Sequence, residues 1–477
     1  MLTVTQVNID QLLLKASLLE HLPMSLFVFV LGSCVGSFLN VVIYRLPRQM
    51  RLLTPPSSCP SCNHKLRFFR ENFPIIGWLM IGGKCKYCDE PVSVQYPLIE
   101  LLTGVLFLIC YVLCYWIHPS TPFFGDIFNQ WWHINGLFLT FPLFIAMLTM
   151  FSGLIAMTVV DARTFTIPIQ IPLVMTIVSF IAVVVQSLIT LQHTSQAWPF
   201  PILDWTWCIA AFGGIAGVFL SMALLRVGLF KISFADYESY IKDDEPLAQY
   251  PHARREIYRE LLFVIPIVLG IIFGFMIGYE RGMPPIIIQG LGGSMLGYLI
   301  GGGLIWGIRI FGTLGFGKEA MGLGDVHLLA AVGAFVGWKD PLLIFFIAPF
   351  SGLLFAVATS VLAKMGKGRS EIPYGPHLAI ATVIVVLCRP AVDWTLNIIM
   401  PTADIHATQI LQINPAKVEL TYVDRVSEKN VGYFDLTCKQ NDGSIQKMLV
   451  SRWIRQSETD IRLIHTGWSS DTEKGHA

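Results

Sequence analysis

Residues 136–160, GLFLTFPLFIAMLTMFSGLIAMTVV, run for twenty-five positions without a charged side chain, and the next residue is Asp161. An apolar run of that length exceeds the roughly 20 residues that cross a bilayer as a helix. The composition points the same way. Of 477 residues, 54% are hydrophobic and 14% charged, whereas soluble domains carry about 25% charged residues. Mean hydropathy is +0.61. So few charges cannot cover a soluble surface of this size, and most of the chain lies in lipid. A net charge of +1 argues against a general nucleic-acid binder. The 12 Trp, 14 Tyr and 32 Phe suit a membrane protein with aromatic side chains at its interfaces.

Further apolar runs at 24–44, 97–117, 169–191, 205–229, 261–279, 287–311, 341–363 and 377–397 read as spans. The shorter run 326–338 counts as a tenth, cut from its neighbour by Gly337-Trp338-Lys339-Asp340-Pro341; the alternative is that 326–363 forms one broken, re-entrant helix pair. Basic residues gather in the loops 45–96, 230–260 and 364–376, while 118–135 and 192–204 hold no Lys or Arg. Ten spans place the three basic loops on one side, the cytoplasmic side by the positive-inside rule, and both termini outside. The lead-in 1–23 lacks the features of a signal peptide, so 24–44 reads as a retained first span.

The expected architecture is an all-α polytopic membrane protein of about ten spans, with eight to ten the range. A small cytoplasmic loop domain (45–96) is followed by spans over 97–229, a charged cytoplasmic insert (230–260) and spans over 261–397. A small β-rich extracytoplasmic region is expected over 398–477. There Val418, Leu420 and Tyr422 alternate with polar residues, and Asn441-Asp442-Gly443-Ser444 reads as a hairpin turn.

The loop domain carries Cys59-Pro-Ser-Cys62 and Cys85-Lys-Tyr-Cys88, separated by 22 residues. Two such pairs are a strong zinc signal, because each offers two thiolates and four complete a tetrahedron. A loop this short cannot build a large core, so a bound metal would supply folding energy. The competing reading is a pair of redox-active CxxC thiols. Two matched pairs favour metal, and a cytoplasmic location disfavours stable disulfides.

Acidic residues beside spans are costly and so suggest function. Asp161 ends one apolar run, and Asp325 lies in Met321-Gly322-Leu323-Gly324-Asp325 at the start of another. Two carboxylates at one membrane edge can share a proton and activate a water between them. Gly322 and Gly324 would let a substrate backbone come close to Asp325. An interfacial charge without chemistry, an ion-coupled transporter and a zinc-bearing membrane scaffold are the competing readings. Transporters usually place such groups at the bilayer midplane between repeats, and no repeat is visible.

These motifs together resemble the type IV prepilin leader peptidase/N-methyltransferase family, membrane aspartic peptidases of the Gly-x-Gly-Asp class. The resemblance runs from Gly32-Ser33-Cys34-Val35-Gly36-Ser37-Phe38-Leu39-Asn40 through the cysteine pairs, Asn72-Phe73-Pro74-Ile75-Ile76-Gly77-Trp78 and Tyr96-Pro97-Leu98-Ile99-Glu100. It resumes at Asp161 with Ile167-Pro168, then at 321–337, and closes with Ile372-Pro373-Tyr374-Gly375-Pro376. It implies that Asp161 and Asp325 are the catalytic pair. The substrates it implies are type IV prepilins or pseudopilins, cut on the cytoplasmic face of a bacterial inner membrane. It also implies a second step, N-methylation with S-adenosylmethionine, although no glycine-rich nucleotide loop of the usual methyltransferase kind is visible. Glu100 could meet a basic leader residue or the new amino group, or could simply favour its helix N-terminus. His327 stands where the family commonly has Lys, Ile169 where a polar residue is frequent, and the 205–279 hairpin and the tail look additional.

Overall fold

The computed structural model describes residues 2–54, 56–59, 61–67, 71, 73–118, 121, 130–193, 203–235, 252–278, 284–363 and 374–399, and strands at 420–422, 434–439, 445–455 and 461–465. Twelve α-helices are present among them: α1 (Leu2–Arg45), α2 (Ile76–Met80), α3 (Gln95–Tyr111), α4 (Gln130–Thr164), α5 (Gln170–His193), α6 (Trp205–Arg226), α7 (Ala253–Gly278), α8 (Ile286–Phe316), α9 (Leu323–Val336), α10 (Asp340–Ala363), α11 (Tyr374–Leu387) and α12 (Arg389–Ile399). The chain divides into two compact units, Met1–Tyr279 with Pro285–Pro390, and Glu280–Pro284 with Ala391–Ala477.

In the first unit α4 is the central helix. Leu143, Met147, Phe151, Ala156 and Met157 are fully buried along it. This explains why its sequence is apolar on every face rather than along one stripe. Lipid tails are as apolar as leucine, so helices in a membrane gain from close packing of small residues. Helices α8 and α9 meet in this way. A Cβ on Gly297 would lie 2.0 Å from the Gly333 carbonyl oxygen, so the two backbones touch.

The number of spans falls below the expected ten but within the expected range of eight to ten. Among the described residues, eight helices are long and apolar enough to cross a membrane, and a ninth results if the bent pair α11 and α12 counts as one span. The expected tenth span, 326–338, is α9, which has 14 residues. At 1.5 Å per residue it is about 21 Å long, against a hydrocarbon core of about 30 Å. Its apolar character has another cause. Leu328, Leu329, Ala331, Val332 and Ala334 are fully buried inside protein. Among the expected spans, 377–397 is broken at Cys388, between α11 and α12. The lead-in is helical over 2–23, continuous with the first span in α1.

The fold expected for the tail is also corrected. The region 398–477 does not begin as strand: its described residues open on the last two of α12, and the rest of them are strand. What is present is one antiparallel sheet in the order β1 (Leu420–Tyr422), β2 (Phe434–Lys439), β3 (Ile445–Arg455) and β4 (Ile461–His465). The hairpin turn expected at 441–444 lies outside the described residues, as does 236–251 of the charged insert.

Candidate active site and metal centre

Asp161 sits three residues before the end of α4, where the chain turns through Phe165 at φ 51°. Its carboxylate accepts the backbone N–H of Gly375, the second residue of α11. The first N–H groups of a helix have no partner within it, so this end of α11 is a natural cradle for an anion. The approach is close: a Cβ on Gly375 would lie 2.6 Å from Asp161 Oδ2. Only a residue without a side chain leaves that oxygen in place.

Asp325 is the third residue of α9, and Gly322 is the residue that caps it. The Asp325 carboxylate accepts the Gly322 N–H, the reciprocal half of a capping box. The two aspartates are brought together. Asp325 lies in the electrostatic field of Asp161, and Arg309 also acts on it. Ile167 packs on both sides of the pair, against Gly324 and against Gly375. Asp161 and Asp325 are 6% and 8% exposed, whereas Gly322 and Leu323 beside them are open to the surroundings.

The two glycines of the Gly-x-Gly-Asp motif do different work. At Gly322 a Cβ would meet Asp325 Oδ2 at 3.5 Å and the Gly324 nitrogen at 4.0 Å, and otherwise open space on the approach to the carboxylate. At Gly324 a Cβ would lie 2.8 Å from the Ile167 Cβ. Gly324 therefore lets α9 seat against the Ile-Pro turn.

Glu100 stands apart from the aspartates in its contacts. It is buried in α3, where Gly36 of α1 packs against its Cα, and it bonds the Ser37 side chain. Its Oε2 accepts the backbone N–H of Ile75 at 2.7 Å. Ile75 has φ 61° and ψ −57°, and Ile76 N–H donates to the Pro74 carbonyl at 2.6 Å. That is a γ-turn of the strained kind, on a β-branched residue that rarely adopts positive φ. Glu100 thus ties the cysteine loop to the helix bundle.

The four cysteines of that loop converge. Sγ of Cys59 is 3.7 Å from Cys88, and Sγ of Cys62 is 3.8 Å from Cys85. All four sulfurs lie within 4.8 Å of one another. A tetrahedral zinc with Zn–S bonds of about 2.3 Å has sulfurs about 3.8 Å apart. The two halves repeat one local design. Cys59 N–H donates to His64 O and Cys85 N–H to Glu90 O; Asn63 and Asp89 donate back to the cysteine carbonyls. Asn63 and Asp89 have φ 57° and 58°, the left-handed region that Asn and Asp tolerate best. Backbone N–H groups of Cys62 and Ser61 bring the Cys59 thiol down to about 7. The Glu90 N–H pulls on Cys88 in the same sense, yet burial and the neighbouring thiols push it up to about 12. Four thiolates cannot coexist here without a cation between them, and the donor set suits zinc.

The sequence reading passed over two parts of the site. Gly375 was legible only as one letter of a motif. A second group, around Arg309, carried a signal in the sequence: a charged residue inside the apolar run 287–311. The Arg309 guanidinium is 2% exposed.

Two parts of the chain match the models of known families. Residues 30–114 match the model of the bacterial peptidase A24 N-terminal domain, and residues 253–357 match that of the type IV leader peptidase family. The first range contains all four paired cysteines and Glu100, the second contains Asp325, and Asp161 falls between them. The chain is 48% identical over 98 residues to a prepilin leader peptidase/N-methyltransferase of Myxococcus xanthus, covering 20% of this chain and 29% of that relative. It is 24% identical over 399 residues to the protein of that name from Aeromonas salmonicida, covering 78% of this chain and 94% of the relative. With the one from Stutzerimonas stutzeri the identity is 27% over 389 residues, covering 76% and 90%. No solved structure matches.

Proposed function

We propose that this chain, a polytopic homologue of the prepilin leader peptidases, is a membrane-embedded aspartic endopeptidase. Its substrates would be type IV prepilins or pseudopilins, and the bond cut would join the basic leader to the hydrophobic helix. The observation that carries the proposal is the pairing of Asp161 and Asp325, two buried carboxylates from separate helices, each held by a glycine N–H beside an open approach at Gly322.

Acting as one unit, the two carboxylates would share one proton. The ionised member takes a proton from a water held between them, and the protonated member donates to the scissile carbonyl oxygen. General acid–base help of this kind contributes on the order of 10²–10⁴-fold. The remaining acceleration comes from positioning, which the two glycine N–H donors supply by fixing the carboxylates. A substrate helix would lie in the bilayer with its basic leader at the cytoplasmic face of the inner membrane, the side on which the basic loops are expected.

The cysteine loop fits a structural zinc, which when bound would hold the two knuckles together. Cys59, Cys62, Cys85 and Cys88 would be its ligands. A methyltransferase step with S-adenosylmethionine is suggested by the relatives' names alone. The described residues of the loop contain no glycine-rich turn between strand and helix, so no residue is assigned to that step.

The test is to co-express the chain with a prepilin and determine the mass and N-terminal residue of the membrane-bound pilin. Leader removal at one bond, absent in Asp161→Asn and in Asp325→Asn, is the expected result. An intact leader with the parent chain present in the membrane would remove the proposal.

A further inference from the structure

Arg309 lies about two turns from the C-terminal end of α8 and is buried, which is costly unless every charge is paired. Each of its three nitrogens is engaged, and the engagement is divided. Nε donates to both carboxylate oxygens of Glu260 on α7 at 3.0 Å, and the second terminal nitrogen donates to Oε1 at 2.9 Å. Trp306 Nε1 and Ser233 Oγ donate to the same carboxylate at 2.8 and 3.0 Å. The remaining nitrogen turns the other way, toward the segment that leads into the Gly-x-Gly-Asp motif. It donates to Glu319 Oε1 at 2.5 Å and to the Met321 carbonyl. The Phe234 ring covers the guanidinium at 5.1 Å.

Met321 is the residue immediately before Gly322, whose N–H holds Asp325. A second arginine fixes the start of the same segment. Arg254, on α7, donates to the Leu314 and Gly315 carbonyls at 2.9 and 3.2 Å, where α8 ends before Gly317 at φ 71°. From Leu314 to Met321 the connection between α8 and α9 is therefore clamped to α7.

We infer that Arg309 is a positioning residue for the peptidase reaction: anchored on Glu260, it holds Glu319 and Met321 so that Gly322 presents its N–H to Asp325. This inference rests on the aspartic peptidase reading above. It gives the α6–α7 hairpin a function in the reaction, because Glu260 and Arg254 both come from α7. Lysine could not replace Arg309, since one ammonium on a flexible stem cannot face Glu260 in a planar fork and the Met321 carbonyl at once.

The test is a set of steady-state measurements on full-length detergent-solubilised enzyme with a prepilin, normalised to folded protein. Arg309→Lys should lower kcat about 10²-fold, the scale set by a misplacement of about 1 Å, with KM within about twofold of the parent. Glu319→Ala leaves the Arg309–Glu260 pair intact and removes only a contact to the segment. It should lower kcat about tenfold with the same KM, and it decides the matter if the lysine variant does not fold. A kcat within about twofold of the parent in either folded variant, or a loss confined to KM, would overturn the inference. Asp325→Asn run beside them separates the two claims: an active Asp325→Asn enzyme defeats the peptidase reading, whereas an inactive one beside fully active Arg309 and Glu319 variants defeats only the positioning role.

Discussion

Gly375 presents its backbone N–H to Asp161 from the N-terminus of α11, so closely that a Cβ at that position would lie 2.6 Å from the carboxylate oxygen. Helix α11 thereby fixes one of the two acids. Gly375→Ala must displace either the carboxylate or the helix end. Cleavage should fall about 10²-fold, with the membrane level of the chain and its zinc content unchanged. Parent-like cleavage by Gly375→Ala, measured on a purified prepilin, would show that the carboxylate tolerates displacement.

Glu100 is expected to hold the cysteine loop and not to contact substrate. Removing the acceptor of a buried N–H costs about 1–3 kcal/mol, and here the γ-turn at Ile75 adds its own strain. Glu100→Ala should therefore open the loop roughly tenfold or more, read as faster limited proteolysis between α1 and α3. Glu100→Gln keeps a carbonyl oxygen for Ile75 and should restore the protection. If Glu100 instead met a cationic group of the substrate, the glutamine variant would keep a protected loop and lose cleavage.

One zinc per chain is expected on Cys59, Cys62, Cys85 and Cys88. Elemental analysis of purified protein checks it, and Cys85→Ser together with Cys88→Ser should abolish it. The pH dependence has a definite sign. Binding needs thiolates, so protons compete with zinc for the four sulfurs and the apparent zinc affinity should fall as the pH is lowered. A zinc affinity that does not weaken at all between about pH 8 and about pH 5 would argue against this site.

The tail is expected to be dispensable for cleavage. The paired aspartates and the cysteine cluster all belong to the first compact unit, and the strands of 420–465 belong to the second. Ending the chain near Pro401 should leave leader removal within about twofold of the parent, a change typical of positions outside a site. Loss of cleavage in a truncated chain that still accumulates in the membrane would assign the tail a part in substrate capture.

Much of the site could be read from the sequence because its chemistry is costly. Asp161 and Asp325 interrupt apolar runs, and the paired cysteines keep a spacing that little else requires. What could not be read is tertiary. The sequence of α9 is apolar like a span, yet it is buried by protein, and hydropathy does not distinguish lipid from leucine. Gly324 and Gly375 are both motif glycines, but one packs on Ile167 and the other on a carboxylate, a difference that only the close approach reveals. Arg309 was visible as a charge in an apolar run, and its partners Glu260 and Glu319 lie 49 and 10 residues away, on another helix and in a loop. The anchoring role of Glu100 depends on a backbone turn at Ile75 that no residue preference announces.

The most direct test of the account is the rate of leader removal by Asp161→Asn, Asp325→Asn and the double variant, each membrane-inserted and normalised to folded protein. If the two carboxylates act through one shared water, each single substitution abolishes cleavage to the limit of detection, and the double variant loses little more, as groups that act as a unit do. A single variant that is folded, inserted and still removes leaders at near the parent rate would contradict the central claim.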